Sequence, residues 1–116
     1  MIPEEQLRSG NYVMQGDKYR QITAAEIPHV SLTCDPVHLL PPVLEACKNF
    51  TRVNGDWITT IEKRNCQLTL KLSGDKVFLN GLELLNKPFE LHNLQNLYYS
   101  LAENEMDLDL LQMNKL

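Results

Sequence analysis

The residues of this chain that could do chemistry are three cysteines, three histidines, a few adjacent carboxylates and a set of aromatic side chains near basic ones. Cys34 and His38 stand four apart, and with Cys47, Cys66, His29 or His92 they could supply the four sulfur and nitrogen ligands of a zinc ion. The spacing argues against it. No Cys-x-x-Cys pair exists, and Cys47 and Cys66 fall on apolar periodic faces, where a free cysteine behaves as a small hydrophobe. A second chemistry would make Cys34 a nucleophile activated by a histidine brought near it in space. Its neighbours Thr33, Asp35 and Pro36 lack the glycine and small residues of a strand-to-helix nucleophile turn. Glu4-Glu5 and the Asp107/Asp109 pair read as terminal solubilising charge. No catalytic residue, metal ligand or cofactor is therefore expected.

Phosphate binding fares no better. The five glycines stand singly, at positions 10, 16, 55, 74 and 81, so no loop offers successive backbone N–H groups to a phosphate. Tyr12, Tyr19, Trp57, Phe78, Tyr98 and Tyr99 could form a stacking platform for single-stranded nucleic acid if they met on one sheet face beside Arg20 and Lys71. The alternative, core and rim of a small sheet, accounts for them with fewer assumptions. The densest basic stretch, Glu62-Lys63-Arg64 with Lys71 and Lys76 nearby, reads as solvated surface.

Composition sets the outer bounds. With 116 residues, 43% hydrophobic and 22% charged, the chain suits one domain with one core, the last residues, 106–116, being a tail or an extra strand. A formal charge of -4 provides no basic excess for phosphate contacts, which makes nucleic acid an unfavoured partner. An odd number of widely spaced cysteines speaks for a reducing compartment, and the acidic start leads into no apolar run, so a cytoplasmic location is expected. No window approaches the ~18 consecutive apolar residues of a membrane helix, so no membrane role is expected.

The elements that must position these residues start with a hairpin over 11–22, where two β-prone runs flank Gly16-Asp17. Ile27 to Thr33 is expected as a third short strand, which Pro28 would confine to an edge or make begin after the proline. Pro41 and Pro42 suit the first turn of a helix. Leu40, Val43, Leu44, Cys47 and Phe50 then share one helical face, and Asn49 is placed to end the helix in the left-handed conformation. Asn54-Gly55-Asp56 predicts a second hairpin. A third, from Cys66 to Asn80 around Gly74-Asp75, should pair Leu72 with Val77 and Leu70 with Leu79 on one face that Leu68 extends. Thr69, Lys71, Phe78 and Asn80 take the other face. After a loop around Asn86-Lys87-Pro88, a second helix carries Leu91, Leu94, Leu97, Tyr98 and Leu101 on its apolar stripe. In the tail, Met106, Leu108 and Leu110 alternate as in a strand, while Leu111, Met113 and Leu116 would suit a short helix. The expected class is α+β: small antiparallel sheets of β-hairpins with two packed helices, the N-terminal part forming a curved, SH3-like sheet.

Three stretches carry a resemblance: residues 7–13 (LRSGNYV), 46–50 (ACKNF) running on to Trp57, and 92–101 (HNLQNLYYSL). Together they resemble a family of small uncharacterised proteins of bacterial genomes, phages and mobile elements. In that family an LRxGNxV opening precedes a hairpin, and an HxLQNLYxxL helix closes the chain. The likeness spans residues 5–106, departing at Asn49, where the family more often has Gly, and in the tail. It implies an accessory protein of a mobile element, and with it no activity, cofactor or ligand.

Elimination and resemblance together favour a non-catalytic binding or adaptor module whose partner is another protein. A nucleic-acid-associated accessory protein ranks second and a small Cys-dependent hydrolase third. The surface singled out is the second face of the closing helix, His92, Gln95, Asn96 and Tyr99, which carries almost no charge. Amides, an imidazole and a tyrosine there serve either hydrogen bonds inside the chain or a partner surface, where tyrosine is enriched. As a partner surface it could meet its own copy in a homodimer, with the apolar tail adding area.

Overall fold

The computed structural model describes residues 1–63, 65–74, 76–84 and 90–115. The expected loop at Asn86-Lys87-Pro88 and the turn residue Asp75 lie outside them. The fold is α+β, with three helices and two antiparallel sheets, of two and five strands, and no closed barrel among the described residues.

Turn chemistry fixes the sheets. Gly16-Asp17 closes β1 (Tyr12–Gln15) onto β2 (Lys18–Gln21), pairing Gln15 with Lys18. In the larger sheet, Asn54 and Gly55 both take positive φ, 53° and 87°, and join β3 (Thr51–Val53) to β4 (Asp56–Lys63). Two successive left-handed residues match the twist of a two-residue hairpin, which is why Asn-Gly is favoured there. β4 then pairs with β5 (Cys66–Ser73), and β5 with β6 (Lys76–Leu79) in the expected register, Leu70 opposite Leu79 and Leu72 opposite Val77. Asn80-Gly81 repeats the same turn, at φ 51° and 83°, and adds β7 (Leu82–Glu83) as a fifth strand that the sequence reading lacked.

The inner face of this sheet offers Trp57, Ile61, Leu70, Leu72 and Val77 to the core. Opposite them lie Val43 and Leu44 of α2 (Pro41–Ala46) and Leu91, Leu94 and Tyr98 of α3 (Leu91–Ala102). A smaller second cluster, Ile2, Leu7, Val13, Ile22, Val30 and Cys34, sits within the N-terminal part.

Three expectations are corrected. Residues Ile27–Thr33 form a helix, α1, and not an edge strand. Thr23 and Glu26 close a reciprocal capping box on the preceding 3₁₀ turn, and Pro28 falls in the first turn of α1, where its missing N–H has no partner to lose. Helix α2 ends at Ala46, short of Phe50, because Cys47 turns extended and bridges Leu108, while Lys48 N–H bonds to Asp107 O at 2.9 Å. The tail takes the backbone groups that would have continued the helix. Leu40 is left exposed, and Asn49 does not adopt the left-handed conformation: its side chain accepts from Asp107 N–H and donates to the Tyr98 hydroxyl at 3.2 Å. The N-terminal sheet, finally, has two strands among the described residues, too few for an SH3-like arrangement; Met14 also bridges Asp35.

The tail keeps the alternating burial of the strand reading without forming a strand, and Leu116 lies outside the described residues. Met106 and Leu110 are buried and Leu108 makes the bridge to Cys47, after which residues Leu111–Lys115 wind into a 3₁₀ turn.

Candidate functional site

Helix α3 is built to show two faces. Asn93 Oδ1 accepts from Glu90 N–H at 2.9 Å at its start, and Glu103, at φ 59°, ends it with its N–H bonded to Tyr99 O at 2.8 Å. Leucines 91 and 94 and Tyr98 point into the main core. The uncharged second face meets the N-terminal part of the chain.

Gln95 is 4% exposed and acts as a missing strand for the backbone ahead of β1. Its Oε1 accepts from Tyr12 N–H at 2.9 Å and its Nε2 donates to Gly10 O at 3.1 Å. Asn96 Nδ2 donates to Gln6 O at 2.7 Å, and its Oδ1 accepts from Asn11 Nδ2 at 2.9 Å and Arg8 Nε at 3.1 Å. His92 is fully buried, with Nε2 2.9 Å from Gln6 Oε1. Burial holds its pKa below the ordinary histidine value. Of the four residues singled out, His92 and Gln95 are buried, Asn96 is partly exposed and Tyr99 is exposed, at 43%, with the Arg8 guanidinium stacked 4.4 Å from its ring centroid and paired with Glu105.

As a partner surface, then, this face is corrected for His92, Gln95 and Asn96. Each is occupied inside the chain: Tyr12 N–H, Gly10 O and Gln6 O take the side-chain amides of Gln95 and Asn96 as partners, and His92 meets the Gln6 side chain. The opening and closing stretches that carry the resemblance are the two halves of this contact. The tail makes a similar clasp at the other strand of the hairpin, where Asn114 exchanges two 2.8 Å bonds with the backbone of Tyr19. Sequence reading missed Gln6, Asn11, Asn49 and Asn114 as partners. Only Asn11, beside Gly10 in the opening stretch, offered a local signal.

The other candidates disperse. Cys34 is buried in the N-terminal cluster, and its side-chain hydrogen-bond neighbour is Thr33 Oγ1 at 3.8 Å. His29 and His38 are exposed, and His92 is held by Gln6. Cys47 is buried beside Met106, its thiol pushed up to about 11 by desolvation, whereas Cys66 is exposed at the open end of the β5 face that carries Leu68, Leu70 and Leu72. Among the described residues no group of three His, Cys, Asp or Glu side chains gathers as a metal ion requires. Tyr12, Trp57 and Tyr98 are core residues, so the six aromatics share no platform. Of the basic groups singled out, Lys63 pairs with Glu103 at 2.9 Å, Lys76 with Glu83 at 3.7 Å and Arg20 with Glu26, whereas Arg64 lies outside the described residues. An open hollow of about 420 Å³ beside α2 is lined by Glu45, Lys48, Asp107, Asp109 and Gln112, all of them exposed.

Comparisons with protein-family models, curated proteins and solved structures return no match. No described helix is long and apolar enough to cross a membrane.

The fold leaves open the outer face of the five-stranded sheet. Ile58, Lys71 and Phe78 lie side by side across its three central strands, and none of the described residues on this face is buried. Lys71 Nζ stands 4.9 Å from the Phe78 ring centroid, so its charge and its methylene stem cover part of an apolar ridge. Asp56, Glu62, Lys76 and Glu83 surround the ridge with both signs of charge.

Proposed function

We propose that this chain is a non-catalytic binding module, an accessory or adaptor protein of a reducing cytoplasm, whose partner is another protein received on the outer face of the five-stranded sheet. The observation that carries the reading is the Ile58–Lys71–Phe78 ridge, half-buried and uncovered among the described residues, within a rim of mixed charge. An apolar centre with a polar rim is the anatomy of a protein interface. A phosphate backbone would need unpaired cations, and Lys76 is held by Glu83 while Lys71 lies over Phe78. The three cysteines are free, in keeping with a reducing compartment. The resemblance to proteins of phages and mobile elements supports a role among their accessory proteins. A homodimer through the α3 face is not part of this reading, because that face is spent inside the chain.

A photo-crosslinking residue at position 78, with one at Glu5 as control, tests the reading in the native host. The expected result is a protein adduct from position 78 alone, lost when Lys71→Glu is added. Adducts equal from both positions would overturn it, as would retention on nucleic acid that falls steeply with salt, which favours the nucleic-acid reading instead.

A further inference from the structure

His92 occupies the second position of α3 with its ring fully buried. Gln6 Oε1, 2.9 Å from Nε2, can only accept, so Nε2 carries the ring proton and Nδ1 is a bare lone pair. Among the described residues that buried Nδ1 has no hydrogen-bond partner. A neutral ring tolerates an idle acceptor. A protonated ring would have a second N–H with nothing to bond to and a positive charge sealed from water.

The charged groups on the elements around α3 do not relieve this. Glu4 and Glu5, on the 3₁₀ turn that ends in Gln6, are exposed. Arg8 pairs with Glu105, His38 lies 3.4 Å from Glu90, and Lys63 pairs with Glu103 at the far end of the helix. Asp107 and Asp109 in the tail are exposed, and the Tyr12 hydroxyl of β1 donates to Leu108 O. None of these bonds the ring among the described contacts.

We propose that His92 is an acid-sensitive latch: its neutral ring holds the N-terminal segment to α3 through Gln6, and protonating the ring loosens that segment while the five-stranded sheet stays folded. The segment is suited to separate opening. Its contact with α3 is made of side-chain amides, and Ile2 and Leu7 belong to the smaller cluster, apart from the core under the large sheet. Loosening it would bare Gln95 and Asn96, the face that is closed at neutral pH.

The sign follows from burial, which disfavours the charged ring in the folded state and lowers its pKa. The folded chain therefore binds fewer protons than the open one. The latch is fully set above the ordinary histidine value of about 6.5 and weakens as pH falls through the lower, folded value.

Amide hydrogen exchange on the full chain, corrected for the intrinsic effect of pH, reads the latch directly at Arg8 and Tyr12, whose N–H groups bond to the side chains of Asn11 and Gln95. Between about pH 7.5 and about pH 5, protection there is expected to fall by about tenfold relative to β5 and β6. In His92→Gln the amide reaches as far as Nε2 does and cannot titrate, so the acid response should vanish. Equal loss of protection across the whole chain, or the same response in His92→Gln, would overturn the latch. Should that variant fold poorly, the ring nitrogens of the unaltered protein are followed by NMR: they and the Asn11 and Asn96 side-chain amides must shift with one midpoint, below about 6.5. Separate midpoints would equally overturn it.

Discussion

Asn11 and Asn96, 85 positions apart, meet through a 2.9 Å bond from Nδ2 of the first to Oδ1 of the second. Asn11 is completely buried, and Asn96 spends its remaining capacity on Arg8 Nε and Gln6 O. A single amide thus fastens three points of the opening stretch to the closing helix. Removing it strands a buried donor, whose desolvation has then no compensation.

Asn96→Ala is accordingly expected to lower the unfolding free energy by about 1–3 kcal/mol, the cost of leaving a buried polar group unsatisfied. Tyr99→Ala, which removes a partly exposed ring under Arg8, should lose only about 0.5–1 kcal/mol. Urea denaturation of the two variants gives the comparison. A larger loss at Tyr99 would mean that the exposed stack, and not the amide, holds the contact.

Leu70 is the least accessible residue of β5, at 0% exposure, and lies opposite Thr59 on one side and Leu79 on the other. Leu70→Ala should cost about 2–5 kcal/mol through lost burial and the cavity left behind. Thr69→Ala, one residue away on the outer face, should fall within about 0.5 kcal/mol of the unaltered protein, since surface changes rarely do more. Similar losses at both positions would contradict the register of the sheet.

What could be read in the sequence was local. Gly16-Asp17, Asn54-Gly55 and the alternation of Leu68, Leu70 and Leu72 each specify a turn or a face within a few residues, and the structure bears them out. Asn80-Gly81 holds the same turn signal, but β7 has only two residues, too few to show an alternating pattern. Thr23-x-x-Glu26 likewise is a helical-turn signal, and Pro28 suits the first turn of a helix as well as it limits a strand. The extent of α2 and the use of the α3 polar face depend on Asp107, Leu108, Gln6 and Asn11, far away in the chain. No periodicity carries such pairings. The uncharged face of α3 is legible in the sequence with both an internal and an external use open, and only the fold distinguishes them.

Glu103 ends α3 in the left-handed conformation, at φ 59°, which side chains with a Cβ adopt only at some cost. Its ion pair with Lys63 is largely exposed and so contributes little. Glu103→Gly should therefore raise stability by about 0.5–1 kcal/mol, because glycine takes the same backbone shape without strain. A thermal melt suffices, and an unchanged or lower midpoint would show that the pair with Lys63 outweighs the backbone term.

The three thiols should separate by reactivity, because the thiolate is the attacking species and burial raises its cost. Cys47 is 2% exposed with its thiol pushed up to about 11, Cys34 is as deeply buried in the N-terminal cluster, and Cys66 opens β5 on the surface. A neutral thiol reagent added to the folded chain should label Cys66 fast, with Cys34 and Cys47 following only on unfolding. Cys66→Ser should then abolish the fast phase and leave the melting temperature unchanged. The informative contrary result is rapid labelling of Cys34 in the folded state. That would require the N-terminal cluster to open far more readily than its packing implies, and it would return Cys34 to consideration as the nucleophile of a small hydrolase.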